Sequence, residues 1–320
     1  MRLNIICLDG YTLNPGDNPW TEIEKLGNLK VYDRTPDDLI IERAKNAEIL
    51  LTNKTPLTAS TISNLPYLRF IAVLATGYNV IDIKAAKERK IPVSNVPGYS
   101  TDSVAEFTFS LILDLFKKVA HHDWLVKAGR WEKSPDFCFW DNNNFRDLSG
   151  KTLGIVGFGE IGRRVANIAK SFKMKILVST RRPLASLEEG VKQVDIESLF
   201  SESDIVSLHC PLNETNRMMV NKNLLLKMKR TAILVNTARG LLINEEDLAD
   251  ALNNGTIAGA ACDVVSEEPI KPYNPLLKAK NLIITPHIAW ASLESRRRLM
   301  DAVAKNISSF LSGKADNVVC

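Results

Sequence analysis

The chain has 320 residues, 45% hydrophobic and 24% charged, with 41 basic against 37 acidic side chains and a formal charge of +4. That length suits two domains with sizeable cores, and the scattered charge excludes a basic nucleic-acid-binding arm. No apolar run approaches about 20 residues, which excludes a membrane span. The five cysteines, Cys7, Cys138, Cys210, Cys262 and Cys320, are odd in number and lack C-x-x-C or Cys/His ligand spacing. They read as reduced thiols of a cytoplasmic protein, with neither a disulfide framework nor a metal site.

The first ten residues, MRLNIICLDG, read as a strand ending in a turn rather than as a signal peptide. From there to Val96, β-prone runs at NIICL, LKVYD, EILLT, LRFIAVLA and IPVSNV alternate with helical patterns such as PDDLIIERAKNA and VIDIKAAKERK. Five such units predict a doubly wound parallel sheet. Thr101 and Asp102 open a long apolar helix through Phe116, which the pattern allows to run from the first domain into the second. A less regular stretch follows, from His121 to Leu148, carrying Trp124, Trp131, Phe137, Phe139 and Trp140. So much aromatic area is rarely left in water, so this stretch predicts an arm, at about 120–148, packed on a second subunit of a homodimer. A satellite cluster within one chain is the alternative.

At Lys151 a β-prone run enters GFGEIG, and helical spacing follows at Val165, Ile168, Ala169 and Phe172. Strand, Gly-x-Gly-x-x-Gly turn and helix form a dinucleotide-binding unit. Gly157 serves the turn, Gly159 the approach of a pyrophosphate and Gly162 the packing of helix on strand, with the phosphates on the amides of the helix N-terminus. Later strands read at KILVST, DIVSLH, TAILVN, TIAGAACDV and NLIITPH. Between them NEEDLADALNNG predicts a helix with Asn244 as cap, Asp247 in the capping-box position and Gly255 beyond its end. A last helix carries Leu293, Leu299, Val303, Ile307 and Phe310 on one face, and we assign it to the first domain. The boundaries are 1–99 plus 289–320 for a substrate domain and 100–288 for a dinucleotide-binding domain.

The acid that binds the ribose hydroxyls is expected about 20 residues beyond the glycines. Thr180 stands there instead, followed by Arg181 and Arg182. A hydroxyl and two guanidiniums suit a 2′-phosphate, so NADP(H) is expected in preference to NAD(H). If the arginines are only a solvated strand end, either cofactor serves. Asn236-Thr237-Ala238-Arg239-Gly240, Asp263 with Glu267-Glu268-Pro269, and Thr285-Pro286-His287 then place titratable residues at successive strand ends, where open α/β sheets hold ligands.

GFGEIG, HCPL, NTARG, DVVSEEP and TPHIAW, in this order, resemble the D-isomer-specific 2-hydroxyacid dehydrogenases, and ATGYNVID and VPGYSTDSVAE extend the similarity into the first half. LDGYTLNPGD and WEKSPDFCFWD are most similar to the glycerate dehydrogenases, or hydroxypyruvate reductases, of that family. The resemblance implies a flavodoxin-like substrate domain beside a Rossmann domain. It implies reversible reduction of a small 2-keto acid, hydroxypyruvate or glyoxylate, to the D-2-hydroxy acid. By resemblance His287 is the general acid and base, Glu268 its carboxylate partner and Arg239 the anchor for the substrate carboxylate and carbonyl. Asp263 matches the position that holds the nicotinamide carboxamide. Thr76, Glu160, Ile161, Cys210, Pro211, Thr215, Thr237, Ala238 and Ala289 match positions around the cofactor. Thr76, Gly77 and Tyr78 match the loop that binds the substrate carboxylate, Asn53 and Lys54 face the substrate tail, and Trp140 reaches the active site of the partner subunit.

Thr52-Asn53-Lys54 lacks the arginines that a phosphorylated substrate calls for, and Ala289-Trp290 replaces a smaller pair, narrowing the cleft. D-lactate or another D-2-hydroxyacid is the alternative substrate. A dinucleotide-sensing protein without turnover is the alternative class, and the full Arg, Glu and His set argues against it.

Overall fold

The computed structural model describes residues 2–140, 145–181 and 189–320. Two compact units divide the chain: Met1–Ser100 with Trp290–Cys320, and Thr101–Ala289. The first unit contains β1 (Asn4–Cys7), α1 (Thr21–Glu24), β2 (Asn28–Val31), α2 (Ile40–Ala44), β3 (Ile49–Thr52), α3 (Ala59–Ser63), β4 (Phe70–Val73), α4 (Ile83–Glu88) and β5 (Val93–Ser94). All pairings are parallel and the order is β2-β1-β3-β4-β5, the flavodoxin-like arrangement. β3 and β4 are buried at every position, as strands covered on both faces must be. Helix α4 starts later than its periodicity predicts. Ile81 instead bridges Leu57, and the Asp82 carboxylate caps the helix by accepting from the Ala85 amide at 3.0 Å.

The second unit opens with α5 (Thr101–Lys117), which lies wholly within it and does not run between domains. Phe109 on α5 stacks on Phe172 at 5.4 Å, just beyond the dinucleotide helix. Next come α6 (Val119–Lys127), β6 (Thr152–Val156), α7 (Glu160–Ser171), β7 (Lys175–Ser179), β8 (Val191–Gln193), α8 (Ile196–Glu202) and β9 (Ile205–Leu208). The unit is completed by α9 (Lys222–Leu225), β10 (Ile233–Asn236), α10 (Glu245–Asn253), β11 (Gly259–Cys262) and β12 (Leu282–Ile284). The parallel sheet runs β12-β11-β10-β9-β6-β7-β8, a Rossmann order extended by one strand, whose switch point lies between β6 and β9. Sequence reading passed over β8, a three-residue edge strand with a single buried side chain and no apolar run to announce it. It also took the stretch after His121 as irregular, whereas α6 occupies its start. The helix buries none of its residues, so no amphipathic stripe marked it.

Helix α11 (Leu293–Leu311) returns to the first unit, where Leu299, Met300, Val303 and Ile307 enter the core and Phe310 stacks on Phe70 at 4.5 Å. Its buried face also carries Arg296 and Asn306, which an apolar periodicity does not reveal. Arg296 forms a bidentate pair with Asp17, at 2.6 and 2.7 Å, and donates to the Leu13 carbonyl at 3.1 Å. The LDGYTLNPGD segment is thereby fastened to α11. The guanidinium holds the Asp17 carboxyl below the usual carboxylate range.

Candidate active site

At the switch point each fingerprint glycine meets a different demand. Gly157 has φ of 92°, and a Cβ on it would lie 2.6 Å from the Cys210 amide nitrogen, so a side chain would part the ends of β6 and β9. Gly162 faces the Gly157 carbonyl with no room for a methyl group. Gly159 caps α7, and a Cβ on it would meet nothing within 4 Å. The open space therefore lies where a pyrophosphate would approach, beside the first-turn amides of Glu160, Ile161 and Gly162, which precede the bond from Arg163 N to Gly159 O at 3.0 Å. These residues fit a dinucleotide.

Thr180 directly follows β7, and its carbonyl accepts from Gln193 at 3.4 Å. Arg181 is exposed, and its charge reaches the Cys210 thiol, which burial pushes up and Arg181 pulls partly back. Arg182 lies outside the described residues. After β9 the loop of Pro211 and Thr215 is knit by amide side chains. Asn216 donates to the Pro211 carbonyl at 2.8 Å, and Asn213 accepts from the Thr215 hydroxyl at 2.6 Å.

The turn after β10 is built on Asn236, which is fully buried. Its amide oxygen accepts from the Ala238 amide at 3.0 Å, and its amide nitrogen donates to the Arg239 carbonyl at 2.9 Å. Thr237 Oγ1 meets Thr108 Oγ1 on α5 at 3.1 Å. The turn thus presents a half-buried Arg239 from a rigid base. Gly240 then passes against the Val265 carbonyl and the Ser266 amide so closely that a Cβ could not fit. Here the glycine has a packing role that the NTARG motif alone did not disclose. It brings the arginine turn against the loop that carries Glu268.

His287 and Glu268, 19 residues apart, meet at 2.7 Å between Nδ1 and Oε2. An ionised carboxylate only accepts, so Nδ1 carries the hydrogen and Nε2 is the nitrogen that takes up and releases a proton. His287 has φ of 55°, and its amide donates to the Asp263 carbonyl at 2.7 Å. Asp263, 1% exposed, accepts from the Thr285 hydroxyl at 2.6 Å and from the Ile288 and Ala289 amides, both at 2.9 Å. Burial pushes its carboxyl up, against those hydrogen bonds. Asp263 therefore clamps the chain on both sides of His287. Sequence comparison pointed only to a cofactor role, because the clamp joins backbone groups that carry no sequence signal.

In the first unit Asp9, which sequence reading did not single out, accepts from the backbone amides of Asn53, Lys54 and Thr55 at 2.8, 2.6 and 2.7 Å. Asn53 is buried, and its side chain donates to the Leu74 carbonyl at 2.8 Å, whereas Lys54 is exposed. Thr76 Oγ1 donates to the Val96 carbonyl at 2.7 Å, its own carbonyl accepts from Asn95, and the Tyr78 carbonyl closes a turn with the Ile81 amide at 3.0 Å. Gly77 lies between them in this exposed turn. Trp290, expected to narrow the cleft, packs edge-on to Tyr99 within the first unit at 6.3 Å. Trp140 is 64% exposed. Among the described residues no group of His, Cys, Asp and Glu is placed to hold a metal, and no helix is long and apolar enough to cross a membrane.

A cavity of about 360 Å³ in the second unit, lined by Leu115, Phe116, Lys118, Arg146, Thr231 and Asn281, opens at the N-terminal ends of β10–β12. The fingerprint, Arg239, Glu268 and His287 all follow C-terminal strand ends, the side on which open α/β sheets hold ligands, and not the end where this cavity opens.

Residues 109–289 match the sequence profile of the D-isomer specific 2-hydroxyacid dehydrogenase NAD binding domain. The chain is 48% identical to the hydroxypyruvate reductase of Blautia hydrogenotrophica, over 99% of both chains. It is 42% identical to the glycerate dehydrogenase of Methylorubrum extorquens, over 100% of this chain and 99% of the other. A solved acyclic imino acid reductase in complex with NADPH and D-Arg superposes with a TM-score of 0.85 at 32% identity, covering 99% of this chain and 100% of that one. An NADPH-dependent glyoxylate/hydroxypyruvate reductase of Sinorhizobium meliloti, in complex with NADP and malonate, gives 0.85 at 26% identity, covering 100% and 97%. With the fingerprint glycines, the arginine turn and the histidine–glutamate pair all on its Rossmann unit, the chain belongs to the D-isomer specific 2-hydroxyacid dehydrogenase family.

Proposed function

We propose that the protein reduces hydroxypyruvate to D-glycerate, and glyoxylate to glycolate, in a reversible NAD(P)H-dependent reaction. The observation that carries this reading is the His287–Glu268 pair beside the Arg239 turn, in a chain similar along its whole length to a hydroxypyruvate reductase and a glycerate dehydrogenase. Arg239 offers a planar fork that binds a carboxylate and polarises the neighbouring carbonyl. The dinucleotide, when bound, supplies the hydride to the carbonyl carbon. His287 protonates the oxygen from Nε2, and Glu268 stabilises the imidazole in its charged form. Gly157, Gly159, Glu160, Ile161 and Gly162 hold the pyrophosphate in this reading. Cys210, Pro211, Thr215, Thr237, Ala238, Asp263 and Ala289 line the rest of the cofactor site.

In the first unit the turn at Thr76, Gly77 and Tyr78 is assigned to the substrate carboxylate. Lys54 is assigned to its tail, and Asn53 to holding that loop, since its amide is already engaged. Thr180 with Arg181 supports NADPH as the preferred donor. The arm supports a homodimer: Trp124, Trp131, Phe137, Trp140 and Phe145 are all more than half exposed in the single chain. Trp140 is the residue assigned to the active site of the second copy. Free thiols at all five cysteines support a cytoplasmic setting.

Initial rates with hydroxypyruvate, glyoxylate, pyruvate and 3-phosphohydroxypyruvate, each with NADPH and NADH, test the reading. Hydroxypyruvate should give the highest kcat/KM, with NADPH the better donor. A preference for NADH would refute the arginine argument alone, and a preference for pyruvate or the phosphorylated acid would refute the substrate assignment.

A further inference from the structure

The loop that presents Glu268 is itself held by a second carboxylate. Glu245, the first residue of α10, accepts from the Ser266 amide at 2.6 Å on Oε1 and from the Ser266 hydroxyl at 2.6 Å on Oε2. The Asn274 side chain, 7% exposed, donates to the same Oε2 at 2.9 Å. Three donors on one carboxylate are charge-assisted bonds, shorter and stronger than neutral ones. The site of attachment matters because Ser266 is two residues before Glu268, on the segment that Gly240 presses from the other side. We propose that Glu245 is a positioning residue for proton transfer: by fixing Ser266 from two directions it holds Glu268 on Nδ1 of His287.

The neighbouring charges leave this task to Glu268. Glu267 is engaged elsewhere, with Lys271 at 3.2 Å and the Tyr273 hydroxyl at 3.3 Å, while Asp263 clamps the backbone around His287. On α10 the remaining acids of the first turn are Glu246 and Asp247, and Asp247 accepts from the Lys222 amide at 2.8 Å. Burial first, and then the charges of Glu245 and Asp263, push the Cys262 thiol on β11 up to about 12, so it stays neutral. Arg239 is the cation of the adjoining turn. Released from Glu245, the loop loses two bonds at Ser266, next to the segment where Glu268 accepts from the Val265 amide at 3.4 Å and meets His287 at 2.7 Å.

The inference rests on the proposed roles of His287 and Glu268, so its test separates the two. Glu245→Ala, Glu245→Gln, Ser266→Ala, Glu268→Gln and the double variant Glu245→Ala/Glu268→Gln are compared for kcat, KM of each substrate, the pH profile of reduction and thermal midpoint. Glu245→Ala should lower kcat about tenfold or more and leave the KM for the dinucleotide within about twofold. The pH at which reduction falls off should move down, as in Glu268→Gln, because both changes remove a carboxylate from the protonated imidazole. Glu245→Gln, which keeps one acceptor for the Ser266 amide, should recover part of the loss. The double variant should be no slower than Glu268→Gln alone, the non-additivity expected of residues acting through one contact. Additive losses, or an unmoved pH profile, would overturn the proposal. Should Glu245→Ala not fold, Ser266→Ala in the same cycle with Glu268→Gln decides by the same criterion. If His287→Ala reduces hydroxypyruvate at the unaltered rate, the site reading fails instead.

Discussion

His209 shows how burial sets chemistry one residue at a time. It follows β9 directly, its amide donates to the Val156 carbonyl at 2.7 Å, and its Nε2 lies 2.8 Å from the Ser207 hydroxyl. Burial lowers its pKa from 6.5 to about 4, so it is neutral at pH 7. A histidine whose folded value is depressed contributes stability that is fully present above 6.5 and lost as the pH falls toward 4. Calorimetric scans should therefore show the thermal midpoint dropping between those values by an amount worth a few kcal/mol at most. A His209→Asn variant should lose less over the same interval. An equal drop in both proteins would show that other groups dominate the acid response. Of the two histidines at strand ends, His287 was singled out by its motif, and the structure pairs it with Glu268. His209 was not separable from it by residue type, because only the fold shows which imidazole meets a carboxylate and which meets a hydroxyl.

The elements were legible where periodicity and glycine chemistry act locally. The strand-turn-helix of the fingerprint is of that kind, and so is Asn244, which caps α10 by accepting from the Asp247 amide at 3.3 Å. The reciprocal half of the capping box is absent: Asp247 turns to the Lys222 amide and the Asn244 amide donates to the Val220 carbonyl. Sequence spacing sees only residues three apart and has no access to a partner 25 positions away. The fingerprint glycines yield a contrast of the same origin. Gly159→Ala adds a methyl group to open space, so folding should be unaffected while the KM for the dinucleotide rises on the order of tenfold, about 1.4 kcal/mol. Gly162→Ala drives a methyl group into the Gly157 carbonyl and should lower the thermal midpoint as well. Equal effects of the two on stability would contradict the assignment of space at the turn.

On the scale of the whole molecule, the parallel pairing of strands in both units follows from alternating β and α patterns, and that alternation was plain in the sequence, whereas the strand order was not. What the pattern could not give was the set of long-range clamps: Arg296 to Asp17, Asp263 around His287, Glu245 to Ser266. Each joins polar groups distant in sequence, where hydrophobic periodicity carries no information. The exposed aromatics of the arm belong to this scale too, since Trp124, Trp131, Phe137, Trp140 and Phe145 are the kind of apolar surface that a second copy covers. Sedimentation at micromolar concentration should find a dimer, and replacing Trp124 and Trp131 together by serine should shift it toward monomer. A wild-type monomer would contradict the arm as an interface.

The most direct measurement is the initial rate of reduced-nicotinamide oxidation on adding hydroxypyruvate, for the wild type and for a folded His287→Ala variant, with the chirality of the glycerate determined. Rapid turnover to D-glycerate, falling by about 10²–10⁴-fold in the variant, is the expected result. Absence of turnover with either dinucleotide, formation of L-glycerate, or a variant as fast as the wild type would contradict the account.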